Sequence, residues 1–469
     1  MSRAIALIIL LLFCCSRAEM TDSPLHSVHK EHEKIFSDSL FPSGAAVPMP
    51  ISSGRLSHIV YGFIPYWERE YRCPDWRLVS RVAYFSCTLN RLGQITGCRH
   101  FRESPAIDSA KAAGVKIDVC VTLFSESDID ALLSTPAFRR RCVSEIIDTM
   151  IAFGANGVNI DFEFPGYGYG GYFLDFAREF RESLDARAYD AWLSVDLPAV
   201  DWRSTFWTDS LRNFFDAFFV MCYGYHWRTS PSTGPIDPLD DPTEFYDIAY
   251  SIYHYKTQSG APGKIILGLP LYGYDWACND SIRGASTIGA GTAVVYATAT
   301  ARAESIGRLW DDNASSPWYR YRTTTWHQCW FSDSMSLDMR FEFAIDESLM
   351  GVGFWALGYD RGSQSLWNAI RNHFWTGDNV ALGHIPRPEL KVVVSPNPFN
   401  SACEINISHV PKNAFAKIIS PDGRVVFRKM ITESSGSFVW NPLGLTAGVY
   451  LLEVMADGNV FMKKIIYLR

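Results

Sequence analysis

The chain has no surplus of basic charge: across 469 residues, 43 Lys and Arg stand against 50 Asp and Glu, a formal net charge of −7. Without a basic patch or a lysine-rich run it has no electrostatic footprint for nucleic acid or for an anionic membrane surface, which leaves a neutral or only locally charged substrate. Beyond the N-terminus it lacks any apolar run long enough to span a bilayer. It has no C-x-x-C pair. Removing Cys14 and Cys15 leaves nine of the 11 cysteines, an odd and scattered set that suggests no metal site. Cys120 and Cys222 lie inside apolar runs and read as buried free thiols or as disulfide partners. No G-x-G-x-x-G follows the first apolar run, which argues against an open dinucleotide-binding sheet.

Aromatic residues are plentiful: 14% of the chain, with 15 Trp and 22 Tyr. Flat rings serve a large core, and they also grip the apolar faces of sugars. The first residues, "MSRAIALIILLLFCCSRAEM", combine Arg3, an apolar run from Ile5 to Phe13, and small residues at Ser16 and Ala18. That is the layout of a signal peptide over 1–18 and implies export. Residues 19–55 are polar, show no sustained period and read as a flexible leader.

Eight short apolar runs follow, beginning at His58, Arg81, Val115, Gly157, Ala191, Phe215, Lys264 and Gly351. Helical spacing fills the gaps; "YFLDFAREFRESLDARA" sets Phe173, Phe176, Ala177 and Phe180 on one side. Strands alternating with helices predict an α/β fold, a (β/α)8 TIM barrel over 56–378 whose chemistry sits at the C-terminal ends of the strands. The long gap between strands 7 and 8 predicts a small α+β insertion over 277–346. After a linker at 379–390, alternating strands broken by Pro-Asn-Pro and Asp-Gly turns predict an all-β sandwich over 391–469.

The segment "GANGVNIDFEFPG" carries the chemistry. On a strand, Val158, Ile160 and Phe162 share one face, while Asn159, Asp161 and Glu163 share the other. Two carboxylates two residues apart lie about 6 to 7 Å apart at Cα, so their side chains can touch and push their titrations apart. Neighbours on one strand are badly placed to flank a glycosidic bond as acid and nucleophile, so the nucleophile must come from elsewhere.

"NGVNIDFE" resembles the strand signature D-G-x-D-x-D-x-E of glycoside hydrolase family 18, the chitinase family. The resemblance runs from His58 to about Trp375 and is most similar to bacterial spore-cortex and chitin-degrading members. It implies Glu163 as general acid/base, Asp161 as the residue that orients the substrate's acetamide, and the acetamide oxygen as the nucleophile. It further implies substrate contacts from Tyr66 in "GFIPYW", Met221 and catalytic Tyr223 in "MCYGYHW", Tyr272 in "LGLPLYGYDW" and Trp355 in "GFWALGYD". Trp355 matches the tryptophan under the sugar next to the scissile bond, and Tyr223 the tyrosine on the acetamide carbonyl. Asn156 and Asn159 replace family aspartates, Asn159 still offering a hydrogen bond to Asp161, and Gly224 replaces the aspartate of M-x-Y-D.

The C-terminal "SPNPFN", "GLTAGVYLLEV" and "KKIIYLR" resemble the type A sorting domain of type IX secretion. That implies contact with secretion machinery and delivery to the surface or surroundings of a bacterium with an outer membrane. The expected function is a secreted retaining hydrolase of β-1,4-linked N-acetylglucosamine polymers, chitin or peptidoglycan, with no cofactor, no metal and no nucleic acid, acting as a monomer. The alternative is a lectin-like member that binds such glycans without cutting them. Tyr167, Tyr169 and Tyr172 in "PGYGYGGY" suit either sugar stacking or closure of the barrel top, and His226 reads as a satisfied loop histidine.

Overall fold

The computed structural model describes residues 27–36, 54–187, 190–376, 391–408, 414–431, 435–456 and 459–468. The expected signal peptide at 1–18 and linker at 379–390 lie outside the described residues. The eight apolar runs form eight strands: β1 (Ile59–Pro65), β2 (Arg81–Leu89), β3 (Lys116–Leu123), β4 (Gly157–Phe162), β5 (Trp192–Pro198), β6 (Ala217–Met221), β7 (Ile265–Pro270) and β8 (Gly351–Trp355). Each pairs in parallel with the next, and β1 pairs with both β2 and β8, which closes the barrel.

The strands are mostly apolar because both of their faces are covered, by the barrel interior and by the outer helices. Helix Gly170–Ala186 turns Phe173, Phe176, Ala177 and Phe180 inward, all buried, as its spacing predicts. Deep inside the barrel Arg81 donates to both oxygens of Asp118, at 2.5 and 3.0 Å, and Tyr61 adds a bond at 3.1 Å. This buried pair is satisfied by its neighbours and lies among the barrel's packed layers.

The insertion is an antiparallel sheet, in the order Thr292–Val295, Tyr272–Cys278, Trp326–Phe331, Ser316–Arg322, Leu309–Asp311, with helix Tyr296–Ile306 against it. It begins at Tyr272, earlier than the expected 277, because "YGYDWAC" alternates and pairs on both sides. At its far end helix Ser334–Asp346 packs on helix Gln364–Phe374 and on β8, so it belongs to the barrel.

The C-terminal residues form two antiparallel sheets of three and four strands around one core that includes Ile405, Ile418, Trp440 and Leu452. Phe427 and Phe438, one from each sheet, stack at 5.1 Å. Cys87 and Cys98 form a disulfide, and Cys120 and Cys222 are buried and free. Among the described residues no helix is long and apolar enough to cross a membrane.

One element corrects the sequence reading. Residues 28–36 of the supposedly flexible leader form a helix, α1 (Val28–Phe36), with Val28, His29, His32 and Phe36 buried. Those four recur on one helical face, and that face enters the mouth of the barrel.

Candidate active site

Asp161 and Glu163 lie at the C-terminal end of β4, where the Glu163 amide donates to the Leu123 carbonyl at the end of β3, 3.1 Å away. Asp161 is fully buried and Glu163 nearly so. Burial and the neighbouring Glu163 push the Asp161 carboxyl up to about 7, against the opposing pull of His29. The expected coupling of the two carboxylates is thus built into the strand's alternation.

Asp196 on β5 completes an acidic cluster that sequence reasoning missed. Asn159 Nδ2 donates to Asp196 Oδ1 at 2.7 Å and to Ser194 Oγ at 3.2 Å. Its amide is therefore committed to β5, which corrects the expected bond to Asp161. Burial, then the charge of Asp161, drives the Asp196 carboxyl well above its ordinary value. The signal was present in "AWLSVDL", where Ser194 and Asp196 alternate inward, but only the barrel sets them beside β4.

His29 of α1 occupies the centre of the mouth. Its Nδ1 lies 2.8 Å from Asp161 Oδ2 and 3.2 Å from Glu163 Oε1, and its Nε2 is 2.7 Å from the Tyr223 hydroxyl. The imidazole stacks on Trp355 with centroids 3.8 Å apart and planes 24° apart. Burial alone would lower its pKa, but Asp161 and Glu163 outweigh this and hold it at about 10. The two carboxylates thus favour the protonated imidazole, which would donate to Asp161 and to the Tyr223 hydroxyl. One turn on, Trp355 Nε1 donates to His32 Nδ1 at 3.0 Å, and the Tyr272 ring meets His32 edge-on at 4.5 Å.

Trp355, Tyr223 and Tyr272 therefore converge with Asp161 and Glu163, and Met221 is buried at the end of β6. Tyr66 stands aside: its hydroxyl accepts from Arg99 at 3.1 Å, and it is Trp67 that reaches Trp355, at 6.4 Å. Tyr167 is 83% exposed, so it does not close the barrel top. His226 is half-buried with Nδ1 3.0 Å from the Pro235 carbonyl, and desolvation lowers it to about 4, consistent with a satisfied loop histidine. His29, Asp161 and Asp196 each bring one donor atom within 4.8 Å of the others, a set a metal could use. Both His29 nitrogens are already taken up by Asp161 and Tyr223, which favours proton sharing.

Residues 29–360 match the family described as glycosyl hydrolases family 18. The chain belongs to that family. Residues 393–468 match the family described as secretion system C-terminal sorting domain. Among curated relatives, the cortical fragment-lytic enzyme of Bacillus subtilis is 25% identical over 249 residues, 50% of this chain and 54% of that enzyme. Nod factor hydrolase protein 1 of Medicago truncatula is 24% identical over 344 residues, 68% of this chain and 84% of that protein. The chain thus spans about half the length of the first of these curated relatives. The fold is shared with a family 18 chitinase from Cycas revoluta in complex with (GlcNAc)4, at TM-score 0.60 and 19% identity, over 66% of this chain and 98% of that one. It is shared too with the Bacillus cereus spore cortex-lytic enzyme, at TM-score 0.57 and 19% identity, over 70% and 76%.

Gly224, the departure from the family's M-x-Y-D, adopts φ +76°, and a Cβ there would lie 3.2 Å from Val28 Cγ2. An aspartate is therefore strained by the backbone and crowded by α1. Gly224→Asp is expected to cost about 1 to 2 kcal/mol, read as a lowered denaturant midpoint at unchanged m-value.

Proposed function

We propose that the chain is a secreted, retaining glycosidase that cuts β-1,4-linked N-acetylglucosamine polymers, chitin or the glycan strands of peptidoglycan. The observation that carries this reading is the environment of the His29 ring. A six-membered sugar ring with an acetamide arm would find there an indole for its C–H face, a carboxylate to accept from its N–H, a hydroxyl for its carbonyl, and a second carboxylate beside the scissile bond.

In this scheme Glu163 gives its proton to the glycosidic oxygen as the bond from C1 breaks, and the acetamide oxygen attacks C1 to form a cyclic oxazolinium. Asp161 accepts from the acetamide N–H and balances the positive charge, while Tyr223 hydrogen-bonds the acetamide oxygen and Trp355 supports the sugar ring. Water then adds at C1 and yields its proton to the Glu163 carboxylate, which restores the acetamide and the acid with the anomeric configuration retained. The scheme balances in protons and electrons without a cofactor. Tyr272 and Met221 shape the wall behind the acetamide, Asn159 and Asp196 support Asp161 from below, and Tyr66 serves a more distant sugar. The C-terminal sandwich is proposed to engage secretion machinery and carry the barrel across an outer membrane to the cell surface or medium.

The test is mass spectrometry of products, with proton NMR of their anomeric configuration before mutarotation, after incubation with chitin oligomers and with purified peptidoglycan, using the intact chain and the chain with α1 removed. Cleavage of one polymer with β-anomeric products supports the reading and names the substrate. Oligomer binding with no cleavage would replace it by the lectin-like one. Asp161→Asn is expected to lower kcat by about 10²-fold with a smaller change in KM, because the charge it supplies matters most as the oxazolinium forms. An unaltered pH profile in that variant would sink the coupling of Asp161 with Glu163.

A further inference from the structure

We propose that α1 is an autoinhibitory segment: the chain holds its own catalytic cleft shut with His29 in the sugar site, and severing it between Phe36 and Arg55 allows the segment to leave. The inference rests on the functional reading above for the identity of the blocked ligand, and on geometry for the blockade itself.

The sugar site and the His29 site are the same space. With the imidazole centroid 3.8 Å from Trp355, the indole face is covered at stacking distance, and no second ring can lie on it. The atoms that would receive an acetamide are also engaged, Asp161 at 2.8 Å and the Tyr223 hydroxyl at 2.7 Å. The fit is specific along the whole helix. Tyr274 donates to Glu31 at 2.8 Å, Arg99 pairs with Glu33 at 3.2 Å, Lys30 reaches the Phe124 carbonyl at 3.4 Å, and Phe36 packs on Tyr359 at 5.5 Å. Lys34, on the opposite face, is exposed. A helix with one face built to these partners and the other in water is a ligand of the cleft.

The imidazolium matters to the blockade. Two buried carboxylates without a cation would be costly to keep charged, and His29 supplies that cation where a substrate's developing positive charge would stand. The helix is nine residues long, too short to hold its form alone in water. Its shape therefore depends on docking, and a severed segment that leaves the cleft loses the structure that fits it. The connection is "SDSLFPSGAAVPMPISSG", residues 37–54. It contains no Lys or Arg, so an activating cut within it calls for a protease that does not require a basic residue.

The experiment places a specific protease site within 43–47 of the full chain, leaving Glu163 in place because it touches His29, and uses a sulfur-linked analogue of (GlcNAc)4 that can be bound without being consumed. Affinity for this analogue is measured by calorimetry on the intact protein and on the cut protein after size exclusion has removed the fragment. The cut protein is expected to bind about tenfold tighter or more, since closure lowers apparent affinity by the open fraction. A synthetic peptide of residues 21–37 should compete with the oligosaccharide, and the same peptide with His29→Ala should not. His29→Ala with His32→Ala in the uncut chain should recover part of the gain. Equal affinity before and after fragment removal, whether high or absent, overturns the inference. Hydrolysis by the parent chain, measured in parallel, separates the two claims. Tighter binding on cutting with no cleavage leaves autoinhibition standing and removes the hydrolase reading, whereas equal hydrolysis by cut and intact chains does the reverse.

Discussion

Glu163→Gln in the chain freed of α1 is expected to lower kcat on N-acetylglucosamine oligomers by about 10²- to 10⁴-fold while leaving KM within a few-fold. The amide keeps the volume of the carboxyl and its place at the end of β4, where the backbone bond from Glu163 to Leu123 fixes it. What it loses is the proton that, in the proposed scheme, reaches the glycosidic oxygen as the C1 bond breaks. A loss confined to kcat identifies a group that acts in the transition state, since ground-state contacts with Trp355 and Tyr223 are untouched. A raised KM with unchanged kcat would instead make Glu163 a binding residue, and full activity would remove it from the chemistry. Because Glu163 Oε1 also lies 3.2 Å from His29 Nδ1, the variant must be compared in the cut form. Otherwise a change in α1 docking would mix with the change in rate.

The barrel was legible because each strand is a short, mostly apolar run covered on both faces, and the carboxylate pair because alternation sets Asp161 and Glu163 on one face of a strand. Trp355, Tyr223 and Tyr272 were legible only through the family resemblance; taken singly, each is an ordinary core aromatic. Asp196 was not, since its meaning lies in its neighbour on another strand: Asn159 reaches it across 37 residues of sequence. The Cys87–Cys98 pairing escaped for a similar reason, being set by a hairpin that brings Ile95–Gly97 beside β2. The leader was misread because a nine-residue polar helix has little intrinsic stability. Its apolar stripe of Val28 and Phe36 is sparse, and the carboxylate that His29 meets is 132 residues away. The spacing of Val28, His29, His32 and Phe36 was the available signal, four residues on one helical face. Two histidines on that face have a purpose only once a cleft of acids and aromatics is known to face them.

Arg340→Met is expected to destabilise the barrel by about 3 to 5 kcal/mol, the largest stability effect anticipated for a residue outside the cleft. Arg340 and Asp237 are both fully buried, with Nε 2.7 Å from Asp237 Oδ2. The guanidinium also donates to the carbonyls of Ser315 and Ser336, at 3.0 and 2.8 Å, and to Ser316 Oγ at 3.1 Å. It thereby ties helix Ser334–Asp346 of the barrel to the insertion strand Ser316–Arg322. Methionine fills the volume, but leaves the acceptors on Ser315, Ser316 and Ser336 without their donor and the Asp237 carboxylate without its cation, held by the Ser332 hydroxyl at 2.7 Å. Burial already raises Asp237 to about 6, against the pull of Arg340. A carboxyl raised in the folded state favours folding most below its unfolded value near 3.8 and loses that contribution as pH rises through about 6. Removing Arg340 raises the carboxyl further, so the deficit of Arg340→Met should be larger at pH 8 than at pH 5. Asp237→Asn added to the variant should recover part of the loss at pH 8, because the buried charge is gone. Urea unfolding of the parent, Arg340→Met and the double variant at both pH values measures this. An equal deficit at both would place the cost in the lost bonds to Ser315, Ser316 and Ser336, with none of it in the orphaned charge.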